Sequence, residues 1–127
     1  MNTILSAIDE SGNEVITSLL NPLFSTLLPA FQNRAEEMTV CANLTNAGEV
    51  SVDYKKEGRK ISLVPAKDFR PFITSSRIRI ISSMSIVPEK HQNGKMRIRF
   101  NKEVLPVDVE IESTKDFEIL RLKPLRS

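Results

Sequence analysis

Residues 95–122 read KMRIRFNKEVLPVDVEIESTKDFEILRL, and apolar and polar side chains alternate along three successive runs of this stretch. Alternation with a period of two residues is typical of β-strands that bury one face. We therefore expect three strands within residues 95–123. The side chains that the alternation assigns to the buried face are Met96, Ile98, Phe100, Leu105, Val107, Val109, Ile111, Phe117, Leu122 and either Ile119 or Leu120.

Three more short strands are expected upstream, over residues 38–44, 49–54 and 59–65, so that residues 38–65 form a meander. The segment KKEG (55–58) between the last two predicts a turn, because Gly58 readily adopts a positive φ. The Asn93-Gly94 pair predicts a hairpin turn at the end of a loop over residues 86–95.

Two segments show the three- and four-residue spacing of apolar side chains that is typical of helices. In residues 13–36, Pro22 and Pro29 interrupt this pattern, which predicts two short helices or one kinked helix, with Pro22 in a first turn. Residues 66–84 also show helical spacing, although RIRIIS (77–82) alternates like a strand. Residues 1–12 are expected to be loose.

Together these elements predict one α+β domain, 1–127, with a mostly antiparallel sheet. The composition, with 40% hydrophobic and 27% charged residues, is ordinary for a globular protein of 127 residues. Cys41 has no partner for an internal disulfide, and one cysteine with one histidine cannot form a structural zinc site. With no apolar run long enough to span a membrane and no secretory signal, we expect a cytoplasmic protein that does not insert into membranes.

The net charge of +2 is unevenly distributed, since residues 55–102 carry 13 basic and only 3 acidic side chains. The strongest signal for a polyanion partner is a stripe of basic side chains. Its members are Arg77, Arg79, Lys90, Lys95, Arg97 and Arg99. Aromatic side chains for base stacking are not interleaved with it, so we do not expect nucleic acid as a partner. A solvated basic face remains the simpler interpretation.

The chain offers few candidates for catalysis or metal binding. His91 lies in the expected loop without a visible partner to orient it, and Cys41 is expected to be a buried, inert thiol. Asp108, Glu110 and Glu112 share one face of a strand, where they either chelate a hard cation or pair with bases on the neighbouring strand. We favour pairing with Lys95, Arg97 and Arg99. No cofactor and no metal are expected.

The run SSRIRIISSMSIVPEKHQNGKMRIRFNKEVLPVDVEIEST (75–114), followed by FEILRLK (117–123), resembles the second N-terminal domain of the hexameric ATPases of type II secretion and type IV pili. Residues 76–80 correspond to the family's SRIKI element, 92–95 to QDGR, and 107–109 to VDV. The resemblance implies a PAS-like, six-stranded, mostly antiparallel sheet with helices packed on it. It also favours a helix over the ambiguous RIRII segment.

The departures from this family concern nucleotide binding. The chain contains no G-x-x-x-x-G-K-[ST] phosphate loop. The family's two nucleotide-contacting arginines, those of QDGR and VDVR, correspond here to Lys95 and Glu110. The resemblance therefore implies a non-catalytic interaction or regulatory module and not an enzyme. Its expected partner is a secretion or pilus ATPase, an inner-membrane platform protein or a second copy.

The residues expected to carry such an interaction are Arg77, Arg79, Lys95, Arg97, Arg99 and Glu110. Two alternatives to an interaction module remain open. The first is an excised domain of a full-length ATPase for protein export, and the second is a PAS-like sensor of a small ligand.

Overall fold

Eight β-strands and one α-helix make up the part of the chain that the computed structural model describes, namely residues 5–8, 14–15, 21–43, 49–67, 69, 78–79, 91–100 and 103–125. The N-terminal elements are β1 (Leu5–Ile8), β2 (Glu14–Val15) and α1 (Asn21–Gln32), and the strands that follow are β3 (Glu37–Asn43), β4 (Val50–Lys56), β5 (Arg59–Leu63), β6 (His91–Phe100), β7 (Glu103–Ser113) and β8 (Phe117–Pro124). Ile78 and Arg79 are also helical.

All eight strands belong to one sheet with the order β2-β1-β6-β7-β8-β3-β4-β5. Every pair of neighbouring strands is antiparallel. The predicted α+β class with an antiparallel sheet is confirmed, whereas the predicted number of six strands is wrong. The two additional strands are β1, which lies beside β6 because the edge of that strand provides backbone partners for Leu5–Ile8, and β2, which pairs with β1.

One face of the sheet, the inner face, carries the core together with α1. Leu23, Leu27 and Phe31 of the helix are buried, and the Phe31 ring lies 5.9 Å from that of Phe100. The alternation predicted for β6 and β7 is confirmed, since Met96, Ile98, Leu105, Val107, Val109 and Ile111 are all buried. In β8, Leu120 and Leu122 are buried, but Phe117 is 41% exposed, so its assignment to the core is wrong.

The helix is shorter than the predicted segment 13–36. Residues 14–15 lie in β2, and the helix begins at Asn21, with Pro22 in its first turn as predicted. It ends where Arg34 adopts a positive φ of 55° and the Ala35 N–H donates to the Ala30 carbonyl at 2.9 Å. This left-handed residue with its backward hydrogen bond is a common helix terminator, which here uses arginine in place of the usual glycine.

Three further predictions need correction. Residues 5–8, expected to be loose, form β1, because pairing with β6 stabilises a strand too short to show a clear local pattern. Asn93 and Gly94 form no turn but lie within β6, where β7 is long enough to provide Glu110 and Val109 as their partners. Residues 66–67 and 69 form a turn outside any helix, while Ile78 and Arg79 are helical as expected. The rest of 66–84 lies outside the described residues.

Arg79 is not on the surface, contrary to its predicted role as an interaction residue. Its side chain is only 5% exposed. The guanidinium donates from Nε to Gln92 Oε1 at 2.8 Å and from Nη2 to Glu118 Oε2 at 3.3 Å, with Ser113 Oγ at 3.4 Å. Because burial of an unpaired charge is costly, this cluster ties residues 78–79 to β6, β7 and β8.

We predict that Glu118→Gln destabilises the chain by about 3 kcal/mol, because it leaves the buried Arg79 guanidinium without a charged partner. The double variant Arg79→Met/Glu118→Met should recover most of this loss, since it removes both charges. Urea unfolding monitored by circular dichroism measures both effects. Glu112→Gln, on the exposed side of the sheet, is the control and should cost less than about 1 kcal/mol. Equal effects of Glu118→Gln and the control would contradict the structural role of Arg79.

Candidate interaction surface

The outer face of the sheet, turned away from α1, is lined by charged side chains of β6, β7 and β8. Strand register places Lys95 opposite Asp108, and Asp108 opposite Lys123. In the same way Glu110 lies between Asn93 and Arg121. These side chains share a face because they alternate with the buried residues of the same strands.

Four of the six predicted interaction residues are brought together on this outer face. Lys95, Arg97 and Arg99 are exposed on β6, as the alternation predicts, and Glu110 lies on the adjoining strand. Arg79 is excluded from the surface because it is buried on the inner side. Arg77 lies outside the described residues.

The carboxylates of β7 do not make the predicted pairs with Lys95, Arg97 and Arg99. Glu110 and Glu112 instead bind Arg121 of β8, whose Nη1 lies 2.5 Å from Glu110 Oε1 and 3.1 Å from Glu112 Oε2. Asp108 lies opposite Lys95 but forms no ion pair with it. For Arg97 and Arg99 the physical reason is register. Arg97 and Arg99 lie opposite Pro106 and Val104, which carry no charge, whereas Arg121 lies directly opposite Glu110.

His91 is a further hydrogen-bonding partner of Glu110. It lies in β6, not in the predicted loop, and its Nε2 is 3.2 Å from Glu110 Oε2 although the ring is 52% exposed. The hydrogen bond to His91 has the largest influence on Glu110 and lowers the pKa of its carboxyl group; partial burial opposes this, and Arg121 lowers the pKa further. Glu110 is therefore firmly ionised at neutral pH.

An open groove of about 520 Å³ lies beside this network. Its walls carry three acidic and three basic side chains together with neutral residues; they are Glu37, Asn93, Gly94, Lys95, Asp108, Val109, Glu110, Arg121 and Lys123. Within the described part of the chain, Asp108 Oδ1 is buried and accepts no hydrogen bond. A buried acceptor without a donor is unfavourable, so an external donor would stabilise this wall of the groove.

Among the described residues, no three His, Cys, Asp or Glu side chains are grouped so that they could hold a metal ion. Cys41 is half-buried, where a fully buried thiol was expected. Burial, followed by the charge of Asp53, raises the pKa of the Cys41 thiol, so the nucleophilic thiolate is disfavoured. No helix in the described ranges has the length and apolar character needed to cross a bilayer.

Arg121 is the member of this surface that the sequence analysis missed. Once Leu120 and Leu122 are assigned to the core, the residue between them must lie on the outer face. The alternation alone did not decide between Ile119 and Leu120 as the buried residue, so it did not assign Arg121 to either face of the sheet. Choosing the Leu120 register would have indicated a basic side chain next to the acidic face of β7.

No protein-family model matches this chain, and the search of curated proteins finds no similar sequence.

We predict that Glu110 contributes to acid sensitivity of the fold. Its folded-state pKa lies below the usual value of 4.5, so the ionised carboxylate stabilises the folded chain above that pH. This contribution is lost as the pH falls through the lowered pKa. Urea midpoints measured from neutral to acidic pH should therefore fall less for Glu110→Gln than for the parent chain. The exposed Glu103→Gln serves as control, and parallel pH profiles for Glu110→Gln and the parent would refute the assignment.

Cys41 should react slowly with iodoacetamide at mildly alkaline pH in the folded chain, and faster after unfolding in urea, because its pKa is raised only in the folded state. Asp53→Asn should increase the rate in the folded chain, since it removes a negative charge that disfavours the thiolate. Asp116→Asn, in the exposed turn before β8, should leave the rate unchanged. Mass spectrometry of alkylated protein over time provides the rates; no change with Asp53→Asn would contradict the electrostatic explanation.

Proposed function

We propose that the chain is a non-catalytic interaction module related to the second N-terminal domain of the ATPases of type II secretion and type IV pilus assembly. A PAS-like fold and a cytoplasmic location are part of this proposal. The antiparallel sheet with a helix on one face is compatible with it. The module would act through its outer face by binding another component of such a machine.

The observation that carries the proposal is the meeting of Lys95 and Glu110 in one groove. The resemblance aligns these two residues with the family's two nucleotide-contacting arginines. They lie on the paired strands β6 and β7, and both line the groove on the outer face. This is the arrangement that the correspondence requires.

The chemistry of the same groove argues against nucleotide binding. Lys95 retains a positive charge but lacks the planar fork with which arginine binds phosphate oxygens. Glu110, which is ionised, would repel a triphosphate. Arg121 is the remaining guanidinium of the groove, and it is already bound by Glu110 and Glu112. These residues fit a surface retained for protein contacts better than one that senses ATP.

The partner we propose is a full-length assembly ATPase. An inner-membrane platform protein and a second copy of this chain are the alternative protein partners. Lys95, Arg97 and Arg99 form a row of exposed cations along β6. A row of this kind favours a protein with an acidic patch, because complementary charge increases the rate of association and selects the partner.

A small-ligand sensor is the second candidate function, and the volume of the groove supports it. About 520 Å³ is within the range of small-molecule sites. The groove is open, however, and such sites usually enclose most of the ligand surface. A thermal-shift screen with a metabolite library tests this candidate, and a stabilising compound whose effect is lost in Lys95→Glu would favour it over a protein partner.

Two measurements test the leading proposal. Isothermal titration with ATP and Mg²⁺ should show no binding, and the pure chain should release no phosphate. Binding to full-length assembly ATPases from the same organism, measured by biolayer interferometry, should be saturable and about tenfold weaker for Lys95→Glu/Arg97→Glu. Lys115→Glu, in the turn between β7 and β8, should bind like the parent chain. ATP hydrolysis, or no binding to any assembly ATPase or platform protein, would refute the proposal.

A further inference from the structure

The outermost strand of the sheet, β5, has an edge that the rest of the described chain does not pair. It is hydrogen-bonded to β4 on one side and is the last strand in the sheet order. The two strands are joined by Glu57 and Gly58, both with positive φ, which is the geometry of a two-residue hairpin turn. Such a turn closes on a hydrogen-bonded residue pair, here Lys56 with Arg59. Because hydrogen-bonded and non-hydrogen-bonded pairs alternate along an antiparallel ladder, the backbone N–H and C=O groups of Lys60 and Ser62 point away from β4.

This edge is held in an extended, preformed conformation by contacts at both ends. At the hairpin turn, the Glu57 N–H donates to Glu36 Oε1 at 3.0 Å. Beyond the strand, the Ala66 N–H donates to Thr26 Oγ1 of α1 at 2.9 Å, while the same hydroxyl donates to the Pro22 carbonyl. A strand that is already ordered loses little conformational entropy when another strand pairs with it.

The hairpin that carries this edge is strongly basic. It contains four cations and two acids, Asp53 and Glu57. Its cross-strand pairs put like charges opposite each other, Lys55 with Lys60 and Lys56 with Arg59. Like charges in opposing positions destabilise a sheet. Asp53 relieves this only in part, since its carboxylate lies 3.7 Å from Lys60 Nζ. Pairing with β5 of a second copy would bring further cations together and is disfavoured.

An exposed apolar side chain extends the edge. Val64, directly after β5, is 89% exposed. It follows the exposed side chains of Lys60 and Ser62 at the same two-residue spacing. A partner that suits the edge is therefore extended, negatively charged and able to contact an apolar side chain at one end.

We propose that β5 binds an acidic, extended segment of a partner protein, which adds to the sheet as a further strand. Backbone hydrogen bonds to Lys60 and Ser62 supply affinity, and the hairpin cations select an acidic sequence. This site is separate from the outer-face groove, and it rests on the proposed function only in that the chain binds a protein. Nucleic acid fits less well, because ionised phosphates can accept from the N–H groups of the edge but offer no donor to its carbonyls. In addition, the hairpin's aromatic residue, Tyr54, is buried.

The test uses a fluorescein-labelled, end-capped peptide of alternating glutamate and valine, about ten residues long, titrated with the full chain in fluorescence anisotropy. Saturable binding that weakens with added salt is expected. Ser62→Pro should weaken binding about tenfold, because it removes an outward N–H while leaving the hydrogen bonds to β4 in place. Ser62→Ala, which keeps the N–H, should bind like the parent chain. Circular dichroism checks that both variants are folded.

Charge and backbone contacts are tested separately. Arg59→Glu should weaken peptide binding, whereas Lys115→Glu, with the same change in charge far from β5, should not. Hydrogen exchange followed by NMR should show new protection of the Lys60 and Ser62 amides when the peptide is bound. The alternating lysine–valine peptide should not bind.

Three results would overturn the inference. The first is no saturable binding of the acidic peptide, in which case the edge cations serve to prevent aggregation. The second is equal binding by Ser62→Pro and the parent chain, which excludes strand addition. The third is tighter binding of a labelled oligothymidine that displaces the peptide, which identifies a polyanion site. Loss of ATPase binding in Lys95→Glu/Arg97→Glu with intact peptide binding would separate the outer face from this edge.

Discussion

The antiparallel pairing of β8 with β3 is the constraint on which the rest of the structure depends. The strands β6, β7 and β8 form one meander, β3, β4 and β5 form another, and each is built from local hairpins. Their junction aligns Met38 with Leu122 and Val40 with Leu120, so that the apolar faces of both meanders form one surface that α1 covers. A shift of one residue at this junction would turn the inner side chains of one meander outward.

The same register determines the electrostatics of the outer face. Arg121 lies between Glu110 of β7 and Thr39 of β3, and it binds two carboxylates that would otherwise repel each other along β7. Glu110 and Glu112 are thereby neutralised from the β8 side. Lys95 lies opposite Asp108 but forms no ion pair within the described residues, and it contributes its charge to the exposed surface.

Two kinds of charged residue emerge from this arrangement. Arg79 is buried and bound to Glu118, Gln92 and Ser113, so its charge serves to position a segment against the sheet. Lys95 and the cations of the β4–β5 hairpin are exposed, where charge costs little desolvation and can act on a partner. A basic composition alone does not separate these roles, because burial decides which cations can reach another molecule.

The sequence by itself determined the α+β class, the three-strand meander over residues 38–65, the inward residues of β6 and β7, and the exposure of Lys95, Arg97 and Arg99. These follow from alternation, which is a local property imposed by the geometry of a strand. Only the tertiary structure decided that residues 5–8 pair with β6, that Asn93-Gly94 continues a strand, that Arg79 is buried and that Arg121 binds Glu110. Each of these depends on a partner distant in the sequence, and a local pattern contains no information about where that partner lies.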